Sequence, residues 1–194
     1  MTQATSLRRG WTTGSCATAA AKAAWSLLMT GDCPDPVTIT LPGGKEAAFS
    51  LDGSGREGPS TWARVVKDAG DDPDVTHGAL ITAHVEIAPA GSGILFRAGA
   101  GVGTVTQPGL PLPPGEPSIN PVPRAMIRTA LEQVTPGAPD AIVTVSIANG
   151  EKLAEHTLNA RLGIVGAYRC WVRPESSSLI HARRGSIRFT GVLM

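Results

Sequence analysis

Thr12-Thr-Gly-Ser-Cys-Ala-Thr-Ala-Ala-Ala-Lys-Ala-Ala-Trp-Ser-Leu-Leu-Met29 is the stretch on which the fold turns. Alanine is the strongest helix former, and residues 17–29 carry one charge, Lys22, so this stretch predicts a helix that is apolar on nearly every side. Such a helix belongs at the centre of a domain. Thr13 or Ser15 is the expected N-cap, because a hydroxyl there can accept a bond from an otherwise unpartnered amide of the first turn.

The cover for that helix comes from the strands expected C-terminal to it. Residues 37–41, Val-Thr-Ile-Thr-Leu, alternate in polarity, and Pro42-Gly43-Gly44 turns the chain into residues 46–51, which predicts a β-hairpin. Residues 62–66 and 79–88 are two more β-rich runs, and a turn at residues 89–93 leads into Ile94-Leu-Phe-Arg97. The expected fold class is therefore α+β, a two-layer sandwich of mostly antiparallel strands on a buried Ala-rich helix, over residues 1–120. Residues 99–121 hold too much Gly and Pro for regular structure and read as a functional loop or a linker. Pro121 opens a second helix whose Ile127, Ala130, Leu131 and Val134 form one stripe, and Pro136-Gly137 ends it. A β-branched run at residues 141–147, an Asn149-Gly150 turn and a short helix at residues 151–157 read as the start of a smaller, incomplete α/β domain at residues 121–166.

Residues 167–194 differ in kind: Arg169, Arg173, Arg183, Arg184 and Arg188 face Glu175 alone, with no period of 2 or 3.6. This is an atypical basic tail. The 194-residue chain as a whole has a net charge of +1 and an apolar fraction of 42%, enough for a substantial core and the wrong composition for a disordered or nucleic-acid-binding chain. No run approaches the roughly 18 apolar residues of a membrane span. The first ten residues lack the apolar core of a signal peptide, so the cytoplasm is the expected compartment. Cys16, Cys33 and Cys170 are odd in number and far apart, which fits reduced thiols.

Four segments carry candidate chemistry. Lys67-Asp-Ala-Gly-Asp-Asp-Pro-Asp-Val-Thr-His-Gly78 gathers Asp68, Asp71, Asp72, Asp74 and His77 on a turn punctuated by Gly70 and Pro73. An Asx-turn with exposed acids is the plain alternative, and the spacing matches neither an EF-hand nor a zinc site. Thr12, Thr13, Gly14 and Ser15 at the helix start offer hydroxyls and unpaired amides to a carboxylate or phosphate, against the plainer role of capping. Gly101, Gly103 and Thr104 lie in a Gly-rich loop after a strand, yet no helix succeeds it, so a dinucleotide fold is excluded. Glu116, Asn120 and Arg124 place an acid, an amide and a guanidinium on a Pro-stiffened segment, which limits the entropy lost on binding a polar ligand.

In order, Gly10-Trp-Thr-Thr-Gly-Ser-Cys-Ala-Thr-Ala-Ala-Ala-Lys-Ala-Ala24, Val65-Val-Lys-Asp-Ala-Gly-Asp-Asp-Pro-Asp-Val-Thr-His-Gly78, Gly101-Val-Gly-Thr-Val-Thr-Gln-Pro-Gly-Leu110, Gly115-Glu-Pro-Ser-Ile-Asn-Pro-Val-Pro-Arg124 and Asn149-Gly-Glu-Lys-Leu-Ala154 resemble the CbiD family, cobalt-precorrin-5B C1-methyltransferases of cobalamin biosynthesis. The resemblance implies methyl transfer from S-adenosylmethionine to carbon C1 of cobalt-precorrin-5B, giving cobalt-precorrin-6A, with no protein-bound catalytic metal. It also implies a tetrapyrrole substrate rich in carboxylates, which suits the donors at Thr12, Thr13, Gly14, Ser15, Gly101, Gly103, Thr104, Asn120 and Arg124, with Glu116 beside them. Asp71, Asp72, Asp74 and His77 are the candidate bases, and the sequence does not choose among them. After Arg161-Leu-Gly-Ile-Val-Gly166 the text departs from the family, which continues into a longer second domain. A reading-frame slip near Gly166 is the expectation, and with it a truncated chain that does not methylate. The other readings are a non-catalytic tetrapyrrole-binding fragment and a metal-assisted hydrolase using the Asp68 to His77 loop.

Overall fold

In the computed structural model, residues 8–105 and 112–156 are described. The basic tail and the part of the expected second domain beyond residue 156 lie outside the described residues. The elements are α1 (Thr13–Thr30), β1 (Val37–Thr40), β2 (Glu46–Phe49), β3 (Gly53–Glu57), β4 (Ser60–Val66), β5 (Leu80–Ile87), β6 (Ile94–Ala98), α2 (Pro121–Val134), β7 (Ala141–Ile147) and α3 (Gly150–His156).

Helix α1 is central because alanine lets neighbours come close on several sides. Ala17, Ala19, Ala20, Ala21, Ala23 and Ala24 are all fully buried, and α1 packs on α2, β4, β5 and the β1–β2 hairpin. Polar groups lock it in place: Thr61 Oγ1 donates to the Ala24 carbonyl at 2.6 Å, and Trp25 Nε1 donates to Thr135 Oγ1 at 3.1 Å. The helix starts earlier than its composition implies. Thr12, and neither Thr13 nor Ser15, is the N-cap, because its Oγ1 accepts the Ser15 amide at 3.1 Å.

The strands form an antiparallel β1–β2 pair and a five-stranded sheet of order β3-β4-β5-β7-β6. All pairings in the larger sheet are antiparallel except β6 with β7, so the α+β class holds with one parallel exception. Strand β7 differs in place from its reading in the sequence. Its residues read as the opening of a second domain, yet β7 pairs with β5 over seven positions and with β6 on its other side, and so lies inside the first sheet. Its burial on both faces explains the near-continuous β-branched run Ala-Ile-Val-Thr-Val-Ser-Ile. Strand β3, Gly53-Ser-Gly-Arg-Glu57, is an element that hydrophobic periodicity does not indicate. Among the described residues no helix is long and apolar enough to cross a membrane.

Candidate functional site

One cleft of about 960 Å³ collects three of the four chemistry-bearing segments. Its walls are the chain leading into α1 (Arg8, Arg9, Gly10, Trp11), the α1 start (Thr12, Thr13, Gly14, Ser15), the acidic loop (Asp71, Asp72, Pro73, Asp74), and the α2 start (Asn120, Val122, Pro123), with Lys67 and Met126. Its size is that of a small-molecule site.

The backbone crossing that builds this cleft depends on two glycines. A bridge joins Arg9 to Gly70, the Asp71 amide donates to the Arg8 carbonyl at 3.0 Å, and the Trp11 amide donates to the Asp68 carbonyl at 2.7 Å. A Cβ on Gly10 would stand 1.8 Å from the Ala69 carbonyl carbon, and one on Gly70, whose φ is +66°, would stand 2.2 Å from the Arg8 oxygen. Only two chains without side chains can cross so closely. Helix starts converge here as well, since a Cβ on Gly14 would stand 2.6 Å from Pro123 Cγ. Two positive dipole ends therefore face one cavity.

Within the acidic loop the carboxylates have different partners. Asp68 pairs through both oxygens with the Arg8 guanidinium, and this contact, with the Gly70 amide, lowers its pKa to about 2. Asp71 Oδ2 accepts the Arg8 amide at 2.7 Å. Asp74 Oδ1 accepts the Thr76 amide at 2.8 Å and the Thr76 hydroxyl at 2.6 Å, while Oδ2 faces the Lys67 ammonium. Burial raises the Asp74 pKa, and the bonds from Lys67 and Thr76 outweigh it, so the net shift is downward. Asp72 is exposed, and its carboxylate bonds to no described residue. His77 is exposed, does not line the cleft, and accepts the Ala69 amide on Nδ1 at 3.1 Å.

Donors at the helix starts are free where the ligand side lies. Ser15 N and Ser15 Oγ are bonded to Thr12 Oγ1 and the Cys16 amide to the Thr12 carbonyl, whereas the Thr13 and Gly14 amides have no partner among the described residues. Asn120 caps α2 by position but makes no side-chain bond to it, so its amide group is available to the cleft. Cys16 beneath them is fully buried, and that burial raises its thiol pKa to about 12. It is no thiolate at neutral pH.

The remaining candidates lie elsewhere. Arg124 Nε donates to the Ile119 carbonyl at 2.8 Å, Nη1 to Glu116 Oε2 at 2.8 Å and Nη2 to the Pro117 carbonyl at 2.9 Å, while the guanidinium covers the Phe96 ring. That pair holds the Pro-rich loop in shape outside the cleft. Gly103 and Thr104 pair with residues 117–118 in the same loop. Gly101, at φ +76°, lies against Gly150, where an added Cβ would meet the Ile147 oxygen at 2.1 Å, so its freedom serves the packing of the chain on itself. Gly101 borders a smaller cavity of about 350 Å³.

Lys67 is the cleft residue that sequence reasoning overlooks. The signal is the alternation of β4: Thr61, Ala63 and Val65 point inward, and Lys67 continues that parity to become the one buried charged side chain among the described residues, 2% exposed. Among the described residues no group of three or more His, Cys, Asp and Glu side chains is placed to hold a metal ion. Asp68, Asp71 and Asp74 are engaged with Arg8, Lys67 and Thr76 instead.

The family model CbiD matches residues 1–168. A cobalt-precorrin-5B C(1)-methyltransferase of Bradyrhizobium sp. strain BTAi1 is 64% identical over 163 residues, which cover 82% of this chain and 43% of that protein. The protein of the same name from Agrobacterium fabrum is 59% identical over 165 residues, 85% of this chain and 44% of its own length. A solved structure titled cobalamin biosynthesis protein (cbiD), from Archaeoglobus fulgidus, is 29% identical with a TM-score of 0.58 and covers 82% of this chain and 50% of that one. The chain thus spans less than half the length of these curated relatives.

Proposed function

The chain belongs to the CbiD family, and from that premise we propose that it forms the part of a cobalt-precorrin-5B C(1)-methyltransferase that binds and orients a carboxylate-bearing ligand. The observation that carries this reading is the convergence of the α1 start, the α2 start and the acidic loop on one cleft with free donors. The donor set fits the chemistry. A tetrapyrrole bearing acetate and propionate arms, or the carboxylate of S-adenosylmethionine, finds the Thr13 and Gly14 amides, the Asn120 side chain and two helix dipole ends.

S-adenosylmethionine supplies the methyl group in this chemistry. The residues of this chain hold the acceptor in line and keep it there, which is where most of the rate advantage of such a transfer lies. Asp72 is the member of Asp71, Asp72, Asp74 and His77 best suited to take a proton after methylation. Asp74 and Asp71 already accept protein N–H or O–H groups, and His77 stands outside the cleft. A hydrolase that assembles a metal on the acidic loop is disfavoured by the engagement of those acids with cations and hydroxyls.

Titration of the chain with S-adenosylmethionine and with a cobalt corrinoid heptacarboxylic acid tests the site. Asn120→Ala should weaken binding of one of the two by about five-fold to twenty-fold, with an unchanged melting temperature, because its side chain is free of the fold, whereas Asp72→Asn should not weaken binding and should lower methyl transfer. Unchanged affinity in Asn120→Ala removes its amide from ligand binding. Incubating the chain with methyl-labelled S-adenosylmethionine and cobalt-precorrin-5B and tracing the label separates a methyltransferase from a tetrapyrrole-binding module that does not turn over.

A further inference from the structure

We propose that Lys67 is the carboxylate receptor of the cleft: its third N–H, with the free amides of Thr13 and Gly14, binds an unesterified carboxylate of the ligand, while Asp74 and Thr76 aim the ammonium. The inference rests on the ligand-binding reading above and names the group that would select an acid over its neutral derivatives.

An ammonium has three donors and no acceptor. Lys67 Nζ gives one to Asp74 Oδ2 and one to Thr76 Oγ1, and the third has no partner among the described residues. The hydroxyl of Thr76 accepts from Lys67 and donates to Asp74 Oδ1, so the three side chains close a ring in which each polar atom has a defined role. The backbone at Lys67 is pinned too, its amide donating to the Ala79 carbonyl at 2.9 Å and its carbonyl accepting the Gly78 amide at 2.8 Å. A lysine so held loses little entropy when it meets an anion.

Position completes the case. Lys67 is 2% exposed yet forms part of the cleft wall with Thr13 and Gly14, so the cleft is where its remaining donor finds a partner. Its charge is also felt at Cys16 in the first turn of α1, where it pulls the thiol pKa down against the larger effect of burial. The ammonium and the helix-start amides of Thr13 and Gly14 are donors to one cleft, which Asp71, Asp72 and Asp74 line as well. A carboxylate fits it, and an ester or amide loses the charge attraction. Surface lysines on flexible stems make no comparable distinction, because solvent competes for every donor. The carboxylate comes from a macrocycle arm or from the methyl donor, and both present the same chemistry to Lys67.

Two ligand pairs separate those sources. Affinities of the parent chain and of Lys67→Met are measured for a cobalt corrinoid heptacarboxylic acid against its heptamethyl ester, and for S-adenosylmethionine against its decarboxylated analogue. The parent should prefer the acid member of one pair, and Lys67→Met should reduce that preference by about ten-fold to a hundred-fold while binding the neutral member as before. Loss of preference in the first pair assigns a macrocycle arm, and in the second pair the methyl donor. An unchanged ratio in both pairs overturns the proposal, since a lysine that only stabilises the loop would not alter it. A parent chain that binds none of the four compounds instead sinks the ligand-binding reading and this inference with it. Should Lys67→Met fail to fold, the Lys67 ¹⁵Nζ resonance of the parent decides: it should shift on addition of the preferred acid and stay in place with its neutral partner, and no shift with either acid refutes the assignment.

Discussion

Cys16 has a neighbourhood that makes it inert. It enters a helix start of the kind that often activates a thiol, and a lysine charge lies near, yet full burial dominates and lifts its pKa to about 12. Against an ordinary thiol value near about 8.5, the thiolate at pH 8 falls from a substantial fraction to roughly one part in ten thousand. Iodoacetamide at pH 8 should therefore leave Cys16 unlabelled in the folded chain and label it rapidly in urea, read by peptide mapping. Rapid labelling of the native chain would mean that the first turn of α1 opens. At this scale the sequence is legible wherever a residue acts through its own chemistry. The acids of the loop and the hydroxyls at residues 12–15 can be named from sequence, but their sorting into engaged (Asp68, Asp71, Asp74) and free (Asp72) depends on Arg8, which is distant in sequence, and on Lys67, which continues the inward parity of β4.

The Pro-rich segment between β6 and α2 shows what an element needs when regular hydrogen bonding is absent. Its backbone is folded on itself by the Val105 amide donating to the Glu116 carbonyl at 2.9 Å and the Ser118 amide donating to the Gly103 carbonyl at 2.8 Å. Arg124 then ties that segment to α2 through three acceptors and rests on Phe96, which Arg128 covers as well. Arg124→Ala should cost about 2 kcal/mol, since it leaves part-buried carbonyls and Glu116 short of a charged donor. Chemical denaturation measures that loss, and ligand affinity should change much less than stability. A variant as stable as the parent but defective in binding would return Arg124 to the ligand. Elements with a repeating pattern are legible in sequence: α2 through its stripe of Ile127, Ala130 and Leu131, the β1–β2 hairpin through its alternation and its Gly-Gly turn. Strand β3 escapes because its pattern is set from outside. Gly55 faces the Trp62 ring, where a Cβ would come within 3.1 Å, so glycine stands where periodicity looks for a β-branched residue.

At the scale of the molecule, strand order is the property that local sequence carries least. Residues 141–147 read as a buried strand leading through a turn to a helix, which fits the opening of a new α/β unit as well as it fits insertion into an existing sheet. Insertion is what the pairing registers describe: Ile81 to Ile87 run beside Ile147 to Ala141, and Ile94 to Ala98 run beside Ala141 to Val145. Among the described residues strand β6 has no neighbour in the sheet other than β7, and β5 has β7 along one whole edge. Helix α2 packs on α1, so α2 and β7 both close surfaces that the earlier elements leave open. We therefore propose that the first folding unit runs through α3, in contrast to the boundary expected at residue 120. The prediction concerns two shortened chains. One that stops at residue 120 loses Val143, Val145 and Ile147 from the core, each worth about 1.5–3 kcal/mol on burial, together with the Ile127 and Leu131 contacts of α2. That sum is comparable to the whole net stability of an ordinary domain, so this chain should show no cooperative thermal transition and should expose apolar surface to a fluorescent dye. A chain that stops at residue 156 keeps the seven strands and two long helices of the described residues, and should melt cooperatively. Cooperative melting of the shorter chain, with the far-UV spectrum of a folded sheet, would show that α1 and the strands before residue 99 suffice, and the boundary would return to residue 120.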